Sequence, residues 1–83
     1  MSITTTQIKQ LLIDAFDLEY SVEEIPDDMQ IVGAGLELDS VDVLEIVSQI
    51  YKQFKIKIKN QDINPKAFTS IAELTSFINN YPR

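Results

Sequence analysis

Apolar residues recur at helical spacing in three segments of this 83-residue chain, and this pattern constrains the fold more than any other feature. A helix that packs one face against a core carries apolar side chains three and four residues apart. The three segments are TTTQIKQLLIDAF, SVDVLEIVSQIYKQF and TSIAEL with the residues after it. The pattern predicts a single all-α domain spanning residues 1–83, built as a bundle of three longer helices.

The helices are expected to start at polar residues and to bury one apolar face each. Thr4 and Gln7 have the spacing of a capping box, and so do Ser70 and Glu73 before the last helix. The second helix is predicted from Ser40 to about residue 54. The residues expected in the core are Ile8, Leu11, Leu12, Ala15 and Phe16, then Val43, Ile46, Val47, Ile50 and Phe54, and last Ile71, Leu74, Phe77 and Ile78. The four phenylalanines of the chain, Phe16, Phe54, Phe68 and Phe77, predict a tightly filled, aromatic core.

The first connection is long, from about Leu18 to Asp39, and a loop of this length is usually functional or internally packed. We expect five of its apolar side chains to contact the core: Ile25, Met29, Ile31, Val32 and Leu36. The letters SVEEI also predict one helical turn, capped by Ser21.

The second connection alternates three lysines with two isoleucines in KIKIK, residues 55–59. This is the period of a strand, but a lone strand in a helical domain would have no partner. We therefore predict an extended connector that buries one or two isoleucines. Pro65 then suits the first turn of one short additional helix.

The composition excludes several kinds of site. The chain has no cysteine and no histidine, so it can form no disulfide and offers neither a thiol nucleophile nor an imidazole base. We expect no catalytic residues, no metal site and no enzymatic activity of its own. No apolar run approaches the roughly 20 residues of a membrane span, and the N-terminus lacks a signal-peptide pattern. These features predict a cytoplasmic protein without a membrane span.

The charge is distributed unevenly along the chain. Residues 1–50 hold eleven acidic residues and one basic residue, whereas residues 51–83 hold six basic and two acidic residues. The net charge of −6 argues against binding to nucleic acid, whose phosphates the acidic part would repel. It favours partners with basic surfaces, although acidity also serves solubility alone.

Ser40 allows two interpretations. Serine is a favoured helix cap, worth about 1 kcal/mol. Alternatively, a serine where a helix starts is exposed and could carry a covalently attached anion, which free N–H groups and the helix dipole favour by about 0.3–1 kcal/mol, although Asp39 and Asp42 would oppose it. A second apolar stripe beside Ser40, formed by Val41, Leu44 and Ser48, is not needed to bury the helix.

The segment LDSVDVLEIV resembles the signature of acyl carrier proteins, an Asp-Ser-(Leu/Val) motif that opens their second helix. The order of helices and the segment FTSIAEL are also similar to the family, so the resemblance covers nearly the whole chain. It implies an acyl-carrier-like bundle with 4′-phosphopantetheine from coenzyme A attached to Ser40, directly after Asp39. It further implies that acyl intermediates are carried as thioesters in a fatty acid, polyketide or aryl polyene type pathway.

The resemblance also implies a set of partners. These are a phosphopantetheinyl transferase and acyl-loading, ketosynthase, reductase or dehydratase type enzymes with basic docking patches. The implied docking residues are Val41, Asp42, Leu44, Glu45 and Ser48. Four of the five have a plainer alternative, because Asp42 also suits the helix dipole, Glu45 suits a solvated face, and Val41 and Leu44 could pack in the core.

Some residues depart from the family pattern. Tyr51, Lys52 and Gln53 stand where fatty acid carriers usually keep acidic residues, and a lysine-rich connector follows. We infer a specialised discrete carrier with its own partners. Two alternatives remain: a D-alanyl or aminoacyl carrier, and an unmodified helical protein-interaction module in which Ser40 is only a cap.

Overall fold

The computed structural model describes residues 3–32, 38–63 and 65–81, and within these ranges the architecture is all-α. Its three α-helices are α1 (Thr5–Phe16), α2 (Ser40–Phe54) and α3 (Ile71–Asn80). Short 3₁₀ turns occur at Val22–Glu24, Asn60–Asp62 and Pro65–Phe68. The predicted bundle is confirmed, and the short additional helix takes the form of the 3₁₀ turn at 65–68. None of the helices described is both long and apolar enough to cross a lipid bilayer.

The first helix starts and packs as its sequence predicts. The backbone N–H of Gln7 donates to Thr4 Oγ1 at 3.2 Å, and the N–H of Thr4 donates to Gln7 Oε1 at 2.8 Å. This reciprocal capping box satisfies N–H groups that the first turn leaves without helical partners. The helix ends at Asp17, whose left-handed backbone (φ 52°) lets its N–H donate to the carbonyl of Ile13.

The centre of the bundle is filled mainly by aliphatic side chains. Ile8, Leu11 and Leu12 of α1 meet Ile46 and Ile50 of α2 and the buried face of α3. Among the phenylalanines only Phe68 is fully buried, whereas Phe16, Phe54 and Phe77 are half-buried and pack against the core from its edge. The prediction of an aromatic core is therefore wrong, because isoleucine and leucine from all three helices already occupy the interior.

The first connection is anchored to the core and to the start of α3. Ile25 and Ile31 are buried and Met29 is half-buried, as predicted. Val32, directly after the buried Ile31, is 36% exposed, contrary to prediction. The predicted contact of Leu36 lies outside the described residues. The SVEEI turn is present at Val22–Glu24.

Several hydrogen bonds and one ion pair hold this connection in place. The N–H of Ile71 donates to the carbonyl of Met29 at 3.2 Å, and the N–H of Ala72 donates to that of Asp27 at 2.8 Å. The ammonium of Lys9, on the buried side of α1, lies 2.7 Å from the Asp27 carboxylate. The connection thus joins α1 to the first turn of α3.

The second connection runs without strand pairing in the described residues, as predicted. Ile56 and Ile58 are both buried, while the lysines that alternate with them are exposed. The end of the connector is held by Tyr81, whose hydroxyl donates to Asp62 Oδ2 at 2.6 Å and accepts from the N–H of Lys59 at 2.9 Å. This contact raises the pKa of the Tyr81 hydroxyl above 10.0, because the protonated hydroxyl donates a hydrogen bond to the Asp62 carboxylate.

Candidate functional site

Asp39, not Ser40, caps the second helix. One carboxylate oxygen of Asp39 accepts from the N–H groups of Val41 at 3.0 Å and Asp42 at 3.1 Å. In return, Asp42 Oδ2 accepts from the N–H of Asp39 at 3.0 Å. Ser40 is the first helical residue, so the interpretation of Ser40 as the cap is wrong.

This geometry also changes the expected account of an anion at the helix start. The N–H groups of Val41 and Asp42 already bind the Asp39 carboxylate, so they are not free to bind a phosphodiester. The favourable interaction with the helix dipole remains. The predicted exposure of the Ser40 hydroxyl concerns a side chain outside the part of the chain that is described, but both of its neighbours, Asp39 and Val41, are exposed.

An exposed apolar stripe runs along α2 from this point. Val41 is 70% exposed and Leu44 is 59% exposed, which excludes the alternative that they pack in the core. Ser48 is half-buried on the same stripe, and Tyr51, one turn further, is 51% exposed. The spacing 41, 44, 48, 51 places the four residues on one side of the helix. The sequence argument missed Tyr51, although the same spacing could have found it.

Acidic side chains lie beside the start of this stripe. Glu45 is exposed, and its Oε1 accepts a long hydrogen bond of 3.5 Å from Gln49 Nε2. Asp42 is half-buried and one of its oxygens is used in the capping box. Asp42 therefore has a structural role in addition to any contact it makes with a partner, whereas Glu45 is free to meet one.

Among the described residues no three or more acidic side chains are grouped so that they could hold a metal ion. A groove of about 700 Å³ does lie beside α3, bordered by Lys66, Phe77 and Tyr81. It opens on the surface and lies among residues 61–81, not beside the exposed stripe of α2. The candidate site is therefore the start and outer face of α2.

Covalent attachment at Ser40 makes few demands on the chain, and the start of α2 meets them. A prosthetic group linked through an ester needs a hydroxyl at a place where an enzyme can reach it. At the start of α2 the residues on both sides of Ser40, Asp39 and Val41, are exposed. The residues present thus fit a covalently attached group.

Comparison with known proteins identifies the family and the fold. Residues 2–78 match the family described as "Phosphopantetheine attachment site". The fold is similar to the solution NMR structure of a holo acyl carrier protein from Nitrosomonas europaea, with a TM-score of 0.76, 19% identical residues and 89% of each chain covered. No curated protein matches the sequence.

The family match spans nearly the whole chain, including all three helices. Members of this family are carrier proteins that hold a covalently attached 4′-phosphopantetheine and interact with phosphopantetheinyl transferases. The chain belongs to the phosphopantetheine attachment site family and has the fold of an acyl carrier protein.

Proposed function

We propose that Ser40 carries the 4′-phosphopantetheine and that the protein presents acyl intermediates to the enzymes of a fatty acid, polyketide or aryl polyene type pathway. The observation that carries this proposal is the capping of α2 by Asp39 and Asp42. Because Asp39 caps the helix, Ser40 has no capping role, yet it stands between two exposed residues at the start of an apolar stripe. A serine in this position suits modification better than stabilisation.

Attachment uses the Ser40 hydroxyl as the nucleophile. Its oxygen attacks the pyrophosphate of coenzyme A, a serine–phosphate ester forms, and adenosine 3′,5′-bisphosphate leaves as the serine proton is lost. The carrier contains no histidine that could act as a base near neutral pH, and we assign the base and the magnesium ion to the transferase. Once attached, the arm supplies a thiol that holds acyl groups as thioesters.

We assign the outer face of α2 to partner docking. Val41 and Leu44 provide apolar area that a partner can bury, at about 25 cal/mol per Å². Asp42 and Glu45 give the start of the helix a negative potential that favours and orients basic surfaces. Ser48 extends the contact by one turn. The partners in this proposal are a phosphopantetheinyl transferase and acyl-loading, ketosynthase, reductase or dehydratase type enzymes in the cytoplasm.

Intact mass spectrometry tests the attachment site. The purified protein is incubated with coenzyme A, magnesium and a phosphopantetheinyl transferase of broad specificity. We expect one added 4′-phosphopantetheine in the wild type and none in Ser40→Ala. Ser76→Ala, which changes an exposed serine of α3, is the matched control and should load normally. Loading that persists in Ser40→Ala, or a wild type that no transferase modifies, would refute the proposal.

The nature of the cargo is a separate question with a separate measurement. Elution of the thioester from protein made in its native host, followed by mass spectrometry, distinguishes the cargoes. We expect an acyl chain or a polyketide-type intermediate. A D-alanyl or other aminoacyl group would leave Ser40 in place as the attachment residue but would assign the protein to a different class of carrier.

A further inference from the structure

We propose that four lysines at the far end of α2 form a second docking surface, which binds an acidic patch on a partner enzyme. This lysine strip consists of Lys52, Lys55, Lys57 and Lys59. The inference rests on the proposed function, because it assumes that partner enzymes approach the outer face of α2. It adds a contact of opposite charge to the acidic one at the start of the helix.

The connector is built so that its lysines share one side. Ile56 and Ile58 are buried in the core, and in an extended segment alternate side chains point in opposite directions. Lys55, Lys57 and Lys59 are accordingly all exposed. Lys52, in the last turn of α2, is exposed as well. The two isoleucines hold the connector backbone against the bundle.

The side-chain ammonium groups of these lysines form no ion pair within the described residues. None of the four forms an ion pair with a described carboxylate, whereas Lys9 on α1 lies 2.7 Å from Asp27. Four like charges within eight residues repel one another, and no ion pair with a described carboxylate binds any of the four side chains. An acidic surface on another protein would relieve the repulsion and gain charge-assisted contacts.

Lys55 also occupies a backbone conformation that disfavours lysine. It ends α2 with a φ of 60°, in the left-handed region where glycine is the usual residue. The equivalent position after α1 holds Asp17, which tolerates this conformation better than lysine does. A lysine next to a helix C-terminus gains some interaction with the dipole, but Lys57 and Lys59 lie beyond its reach. Local stability therefore does not account for the whole strip.

The partner is expected to be a protein with two patches of opposite charge. Asp42 and Lys52 are ten residues apart on α2, which corresponds to about 15 Å along the helix. An enzyme whose basic patch meets Asp42 and Glu45 would bring its neighbouring surface over the strip. A nucleic acid or an anionic membrane is negative throughout, so it would be repelled by the acidic end of the same helix.

The test measures binding without the prosthetic arm. Ser40→Ala protein, which cannot be loaded at the proposed site, is titrated into purified ketosynthase-type enzymes of the source organism at low and high salt. In this background we expect Lys57→Glu/Lys59→Glu to weaken the tightest of these complexes about tenfold. Lys57→Arg/Lys59→Arg keeps the charge and should bind as before. Lys55→Gly should bind more weakly while its Tm does not fall.

Each outcome decides the proposal. It is overturned if the charge-reversed protein binds every enzyme of the panel as tightly as its parent, or if no enzyme of the panel binds the parent. It is also overturned if reversal abolishes only self-association in sedimentation, or only binding to phosphatidylserine vesicles. Loading of the Ser40-containing protein, followed by mass, is unaffected by these results. A failure of attachment is thus distinguished from a failure of the strip.

Discussion

The helices α1 and α2 are built alike but differ in what they show to solvent. Both begin with a reciprocal capping box and both end at a residue with left-handed backbone, Asp17 and Lys55. On α1 the exposed residues are polar: Thr6, Gln7, Gln10 and Asp14. On α2 the exposed residues include Val41, Leu44 and Tyr51.

The comparison of α1 with α2 distinguishes the helix face that folding requires from residues that folding does not require. Burying one face against the core is enough to hold either helix, and the exposed side of α1 carries no apolar residue among those described. The outer apolar residues of α2 contribute little to the core, and an apolar patch on a surface often marks an interaction site. Helix α1 therefore serves as an internal control, and each variant below compares the two helices or the two faces of α2.

The largest effect is expected between the two faces of α2. Ile46→Ala removes a fully buried side chain and should lower the free energy of unfolding by about 2–5 kcal/mol. Leu44→Ala shortens a side chain that is 59% exposed and should change it by less than about 0.5 kcal/mol. Urea unfolding followed by circular dichroism measures both. Equal losses in the free energy of unfolding would show that Leu44 stabilises the bundle. The outer face of α2 would then not differ from its buried face.

The next effect concerns function and compares the outer faces of α1 and α2. Leu44→Asp places a charge where the transferase is proposed to bury apolar area, so we expect loading of Ser40 to slow about tenfold, equivalent to roughly 1.4 kcal/mol. Thr6→Asp adds the same charge to the exposed face of α1 and should load at the wild-type rate. The loading rate is followed by intact mass. Equal loading rates for Leu44→Asp and Thr6→Asp would contradict the proposal that the outer face of α2 docks the transferase.

Much of this comparison could be predicted from the sequence because it depends on local patterns. The bounds of α2, the capping box of α1 and the burial of Ile56 and Ile58 all follow from spacing and residue type. Aliphatic and aromatic residues at helical spacing predict a buried helix face, whichever element packs against that face. The family signature around Ser40 is equally local, which is why it was visible in ten residues.

The features that were missed depend on the three-dimensional arrangement. Whether Asp39 or Ser40 caps α2 is decided by one residue of helix register, which two adjacent capping residues do not reveal. The edge position of Phe16 and Phe77 depends on how three helices share the interior. The pairing of Lys9 with Asp27 joins residues eighteen apart in the sequence, so no spacing rule predicts it.

A smaller effect tests the start of α2 against the start of α1. Asp39→Ala removes the capping side chain and should lower the free energy of unfolding by about 1 kcal/mol, as should Thr4→Ala on α1. Ser40→Ala, one residue further along, should change it by less than about 0.5 kcal/mol. Thermal and urea unfolding of the unmodified proteins measure the three values. A large loss of unfolding free energy in Ser40→Ala would show that the serine, and not only Asp39, caps α2.

The smallest effect concerns the lysine of α1, which has a partner, in contrast to the strip after α2. The hydrogen bond from Lys9 lowers the pKa of the Asp27 carboxyl below its ordinary value of 3.8. A lowered folded-state pKa means that the ionised carboxylate stabilises the fold above pH 3.8, and that this contribution is lost as the pH falls through the folded-state pKa. Asp27→Asn should therefore show a modestly lower Tm than wild type near pH 7, and the gap should close below pH 3.8. Asp28→Asn, which changes an exposed neighbour that forms no part of the ion pair, is the matched control. A gap between wild type and Asp27→Asn that stayed constant through this range would mean that the ion pair does not hold the connection to α1.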